Sequence, residues 1–350
     1  MLYRKILIPT DGSDLSNAAA HAGIDFAKDH QAEVIGIYVA PEYTYPIHVD
    51  PIPSSYPVKH CRRIHIKEYS MSYKTILVHI DESQSLDVTV AIACKLAEME
   101  SAHLIGSTVT GVSRFLYQVA EGNPQDPVVG PHLEAMRQRA NASLQRFETK
   151  ARQFDIKSLE TRHVDDDAAG GLTLQAPYCD LVVLGQYDPE VFPSSVLGQD
   201  LPAHIVMNTH CPILLVPYAG SFNTVGDRVL VAWNGSPEAT RAVRDAIPLL
   251  KRAKIVEVVL FNPQSQPDAF SPEPGADIAL YLARHGIEVN VTLQTTEIDI
   301  GNALLSLASD LNSDLLVMGC YGRSRFREMM LGGASRTILQ DATIPVFMSH

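Results

Sequence analysis

The chain has 350 residues, 46% of them hydrophobic, and carries a formal net charge of −12 at pH 7, a length that suits about two domains with sizeable cores. The acidic balance counts against a nucleic-acid partner, because neutralising phosphates requires clustered Lys and Arg. No apolar run approaches the roughly 20 residues that span a bilayer, and MLYRKILIPTDGS lacks the apolar core and cleavage site of a signal peptide, so no membrane partner and a cytoplasmic location are expected.

From the N-terminus, RKILIPTDGSD and EVIGIYVAP read as strands flanking a helical NAAAHAGIDFAKDH. The proline-rich PEYTYPIHVDPIPSSYP then resists regular structure, and the basic run KHCRRIHIK, residues 59 to 67, reads as solvated linker. Residues 1–70 thus form a partial unit plus linker: a remnant that pairs its strands with a neighbour, or an appendage. A second unit, 71–218, starts with YKTILVHIDES, a helical DVTVAIACKLAEME and HLIGSTVTGV. Later in it, HVDDD precedes AAGGLTLQA, where Asp at a helix N-terminus is explained by capping rather than by metal. After the short link AGSFN, the unit 224–350 starts with DRVLVAWNGSP, followed by EATRAVRDAIPLL and EVVLFNP.

These are copies of one pattern. CDLVVLGQY (Asp180, Gly185) aligns on SDLLVMGCY (Asp314, Gly319) 134 residues later, and the same shift carries Gly198 onto Gly332. CPILLVPY matches IPVFMSH at a shift of 133, Pro212 onto Pro345. Alternating strand and helix predict an α/β fold of parallel βαβ units with right-handed crossovers. The first copy is too short for five strands: Asp11 and Asp81 are 70 residues apart, whereas Asp81 and Asn234 are 153 apart. The five cysteines (Cys61, Cys94, Cys179, Cys211, Cys320) form no C-x-x-C pair and read as structural thiols. The thirteen histidines show no zinc spacing.

ILIPTDGS, the D-L-L-V-M-G strand, the glycine loop after it and the closing I-P-V strand together resemble the universal stress protein family. The resemblance implies two tandem, open, five-stranded parallel sheets of order 3-2-1-4-5 with helices on both faces, similar to Rossmann-type folds. It also implies a ligand at the carboxyl ends of strands one and four. In the last unit those ends are Ala232, Trp233 and Asn234, and Met318 and Gly319, with Leu260 and Phe261 expected to wall an adenine pocket. Gly319, Gly322 and Gly332 stand at the family spacing G-x2-G-x9-G, where main-chain N–H groups would cradle phosphate. Arg323, Arg325 and Arg327 add cations. Two positions depart: Gly333 stands where the family has Ser or Thr, with Ser335 two residues on as a substitute, and Asn234 replaces an Asp. The other reading of the same glycines is a tight turn that permits helix packing. In the middle unit Asp188 occupies the second-glycine position and Gln199 and Asp200 follow Gly198, so that loop reads as degenerate although Asp81 is retained.

No nucleophile elbow, Walker lysine or other catalytic signature occurs, so no enzyme is expected. The resemblance implies a stress-response protein binding ATP, with Mg2+, through its last unit. The alternatives are a nucleotide-independent interaction module and a slow ATPase. The closing strands of the two units, PILLVPY and TIPVFMSH, are expected to pair antiparallel, edge to edge, within the chain, with a homodimer as a further possibility.

Overall fold

A computed structural model of the chain describes residues 5–10, 33–38, 72–113, 129–187, 201–265, 273–321 and 333–350. Contacts divide it into two units, Met1–Ile66 and Lys67–His350. In the first, β1 (Lys5–Thr10) and β2 (Glu33–Tyr38) pair in parallel, Lys5 opposite Glu33 through Thr10 opposite Tyr38.

The second unit begins with β3 (Thr75–Ile80), α1 (Leu86–Glu100), β4 (His103–Val109), α2 (Val129–Ala151) and β5 (Ser158–Val164). It continues with α3 (Ala168–Gln175), β6 (Leu181–Gly185), α4 (Leu201–Thr209) and β7 (Ile213–Val216). A second series follows: β8 (Arg228–Ala232), α5 (Pro237–Asp245), α6 (Ile247–Leu250), β9 (Ile255–Phe261), α7 (Ala276–Arg284), β10 (Asn290–Gln294), α8 (Ile300–Asp310), β11 (Leu315–Gly319), α9 (Ala334–Asp341) and β12 (Val346–Ser349). All ten strands form one sheet in the order β10-β9-β8-β11-β12-β7-β6-β3-β4-β5. Each series of five has the order 3-2-1-4-5 and is parallel throughout.

The inner strands β6, β7, β11 and β12 are near-continuous apolar runs because helices cover both faces, as parallel sheets require. Successive side chains alternate between two buried layers. Leu315 and Val317 enter the layer under α1, α2, α5, α6 and α7, whereas Leu316 and Met318 enter the layer under α3, α4, α8 and α9. Helix starts follow from their caps. Asp167 accepts from Gly170 N at 2.8 Å, Ser236 from Ala239 N at 3.1 Å and Asp299 from Asn302 N at 3.1 Å, which accounts for the last Asp of HVDDD.

The expected pairing of the closing strands joins the halves. β12 runs antiparallel to β7, with Val346 opposite Leu215, Phe347 opposite Leu214 and Met348 opposite Ile213. All six are fully buried, and each opposed pair enters the same apolar layer. A slip of one residue would reverse every side chain, so the two layers fix the register. Polar contacts close the seam. Tyr73 Oη donates to Asp245 O at 2.7 Å and Arg252 pairs with Glu100, while within the last half Ser349 Oγ holds Asp245 by donating to its Oδ2 at 2.8 Å. The Gln186 amide donates to the carbonyls of Leu339 and Gln340.

Candidate functional site

Strand pairing brings the ends of β8 and β11 together, with Met318 opposite Ala232. At their other ends Asp314 locks the same two strands. Its carboxylate accepts from the N–H groups of Gly226, Asp227 and Arg228 at 3.1, 3.1 and 2.8 Å. The copy 134 residues earlier repeats the device: Asp180 accepts from Lys74 N and Thr75 N at 2.7 and 2.9 Å.

Beyond β8, Asn234 Oδ1 accepts from Ser236 N at 3.1 Å. In the middle half Asp81 Oδ1 accepts from Ser83 N at 3.0 Å and from Ser83 Oγ at 2.6 Å. Asn234 therefore keeps the local turn that an Asp makes there, but presents an amide donor in place of the second carboxylate oxygen. At the end of β11, Cys320 N donates to Ser349 O at 2.9 Å and Tyr321 N to Ser335 Oγ at 3.1 Å. Ser335, expected to replace the missing hydroxyl donor, is buried and accepts this bond. The bond pins the chain entering the glycine segment to the helix that leaves it. α9 starts with Gly333 as N-cap, without a side-chain cap bond.

Gly319 is required by close approach. A Cβ there would lie 2.4 Å from Ala239 N and 2.6 Å from the Glu238 carbonyl carbon, at the first turn of α5. At Gly185, its counterpart, a Cβ would meet nothing nearer than Thr89 Oγ1 at 3.5 Å. The packing reading of this glycine is thus sufficient on its own. Gly322, Arg323 and Gly332, with Arg325 and Arg327, lie outside the described residues, as do Asp188, Gly198, Gln199 and Asp200.

The remaining expected residues divide between the faces. Ala232, Met318 and Phe261 pack with the layer under α8 and α9, whereas Trp233 lies against the opposite layer. Leu260 needs correcting as a pocket wall: it has no exposed surface and is buried under α7, because strand alternation turns it away from Phe261, which is partly exposed. In the middle half His79 stands where Ala232 stands in the last half. It is buried, and burial pushes its imidazole pKa down while the Asp81 carboxylate pulls it up.

A cavity of about 570 Å³ lies elsewhere, at the seam before β3, β6 and β7, lined by Tyr73, Pro177, Cys179, Pro212, Asp245 and Pro248 among others. Strand direction puts it at the same end of the sheet as the carboxyl ends of β8 and β11. Burial raises the Asp245 carboxyl pKa, opposed by the Ser349 hydroxyl. Cys94, Cys211 and Cys320 are buried and Cys179 half-buried, and burial pushes the Cys94 thiol up to about 12 and that of Cys179 up to about 11. Thiols held that high stay protonated and poorly reactive at neutral pH; Cys61 lies outside the described residues.

With the carboxyl ends of strands one and four adjacent, the architecture is that of an open α/β sheet whose strand order reverses between β8 and β11. The chain belongs to the universal stress protein family, whose model matches residues 2–63 and 226–350. A universal stress protein of Synechocystis is 25% identical over 253 residues, covering 71% of this chain and 83% of that protein. One from Methanocaldococcus jannaschii is 60% identical over 38 residues, 11% of this chain and 22% of that protein. Among solved structures, a universal stress protein from Archaeoglobus fulgidus superposes with a TM-score of 0.61 at 17% identity, covering 80% of this chain and 97% of that one. This likeness is one of fold. Among the described residues no helix is long and apolar enough to cross a membrane.

Proposed function

We propose that the last half binds an adenine nucleotide, ATP, without turning it over, and that the middle half serves as its structural partner. The observation that carries this reading is the Tyr321–Ser335 bond, which joins the two described residues flanking the glycine segment next to the ends of β8 and β11. Main-chain N–H groups, a helix start and arginines then meet a polyanion. The Asn234 amide and the partly exposed Phe261 face the nucleoside. Among the described residues no group of three or more His, Cys, Asp or Glu could hold a metal, so Mg2+ would arrive on the phosphates.

A second reading, a nucleotide-independent interaction module, is favoured by Gly319, whose lack of a Cβ is explained by Ala239 and Glu238 alone. Thermal unfolding with ATP and Mg2+ separates the two. A ligand at 100 times its Kd stabilises the native state by about 2.7 kcal/mol, so the midpoint rises with ATP concentration and the rise disappears in Gly322→Asp. An unmoved midpoint at millimolar ATP rejects the nucleotide reading. Phosphate release abolished by Gly322→Asp would reject the absence of turnover.

A further inference from the structure

The two ends of the ten-stranded sheet are built differently. β5 closes one end with a charged network: Arg162 donates to Glu160 through Nε and Nη2 at 2.5 and 3.1 Å, and His103 Nε2 lies 3.0 Å from Glu160 Oε2. These charges are already satisfied within the chain, and burying them against another strand would desolvate them. β10 closes the other end with the sequence NVTLQ, which carries no charge. Among the described residues it pairs with β9 alone. Val291 is 37% exposed and Leu293 49%, and Leu280 on the adjacent α7 is 52% exposed. Val291 and Leu293 lie opposite Val258 and Leu260, whose side chains enter the α7-side layer, so both project to the same face as α7.

From this contrast we propose that β10 is a docking edge for β10 of a second copy of the chain, joined antiparallel across a two-fold axis at Thr292. The strand is complementary to itself in that register. Val291 meets Leu293 of the second copy, Thr292 meets Thr292, and Asn290 meets Gln294, giving two aliphatic pairs, a hydroxyl pair and two amide pairs. Shifting the axis to either neighbour breaks this matching. The contact is isologous and closes after two subunits. It continues the solution used inside the chain, where β7 and β12 cover each other's edges by antiparallel pairing. It is independent of the nucleotide reading.

The test is the mass in solution of the full chain by light scattering across a dilution series. Wild-type protein has twice the chain mass and falls towards one on dilution. Val291→Lys with Leu293→Lys places lysines opposite lysines and halves the mass, whereas Val291→Lys with Leu293→Glu places opposite charges together and restores it. Leu159→Lys on β5, at the other end of the sheet, leaves the mass doubled. Thr292→Cys gives a disulfide-linked dimer on oxidation that wild type does not, since directly opposed antiparallel residues have Cα atoms about 4.5–5.5 Å apart, within disulfide reach. A wild type at one chain mass throughout, a lysine pair that stays dimeric, or failure of both the lysine–glutamate pair and the cysteine cross-link overturns the proposal.

Discussion

Replacing Asp314 by Asn keeps its volume and removes its charge. Three main-chain N–H groups point at this carboxylate, two at Oδ1 and one at Oδ2. The amide retains one acceptor oxygen and turns an N–H2 towards a donor, so at least one bond is lost and the others lose their charge assistance. Hydrogen bonds to charged groups contribute about 1.5–3 kcal/mol each, and these three act as one unit, so the expected loss is about 2–3 kcal/mol. At Asp180 both bonds go to one oxygen, Oδ2, which the amide oxygen of Asp180→Asn can still supply, so only charge assistance is lost and the expected cost is about 1 kcal/mol or less. Urea unfolding of the full chain reads both, as a lower midpoint at unchanged slope. An Asp314→Asn midpoint within about 0.5 kcal/mol of wild type, or an equal loss at Asp180, would refute the claim that the carboxylate clamps β8 to β11.

Gly319→Ala forces a methyl against the backbone of α5 and is expected to cost about 2 kcal/mol or more, against less than about 1 kcal/mol for Gly185→Ala, both by urea midpoint. Arg252→Ala leaves the Glu100 carboxylate, whose side chain is 3% exposed, without its partner, and should cost about 3 kcal/mol, part of which Glu100→Gln in the same chain recovers. The Arg162 and His103 hydrogen bonds hold the Glu160 carboxyl down at about 2. A depressed native pKa stabilises above the usual carboxylate range, and that contribution is lost as pH falls from about 4.5 towards 2. Acid unfolding of Glu160→Gln should therefore be flatter over that window, by a small amount that salt reduces because the pair is exposed.

The duplication was legible because Asp180 and Asp314 open apolar runs of the same length, and the closing strands could be paired because PILLVPY and TIPVFMSH each leave one edge uncovered within their own half. What Asp180 and Asp314 do was not legible, since each reaches back 86 or more residues to N–H groups that carry no side-chain signature. The same distance hid the seam contacts of Tyr73 with Asp245 and of Gln186 with Leu339. Leu260 was misplaced through strand parity: the adjacent Phe261 fits the motif equally well, and only the layer each enters separates them. Gly319 illustrates a different limit, in that phosphate approach and helix approach demand the same residue. Sequence spacing alone does not separate them, whereas the distance to Ala239 N does.

Because the two halves meet through antiparallel strands, their equivalent mouths open in opposite directions: the one at His79 and Asp81 faces away from the one at Asn234 and Gly319. A binder that seats on the strand ends of one half therefore does not reach those of the other. Communication between them would run through the sheet they share, most directly along β6, β7, β12 and β11.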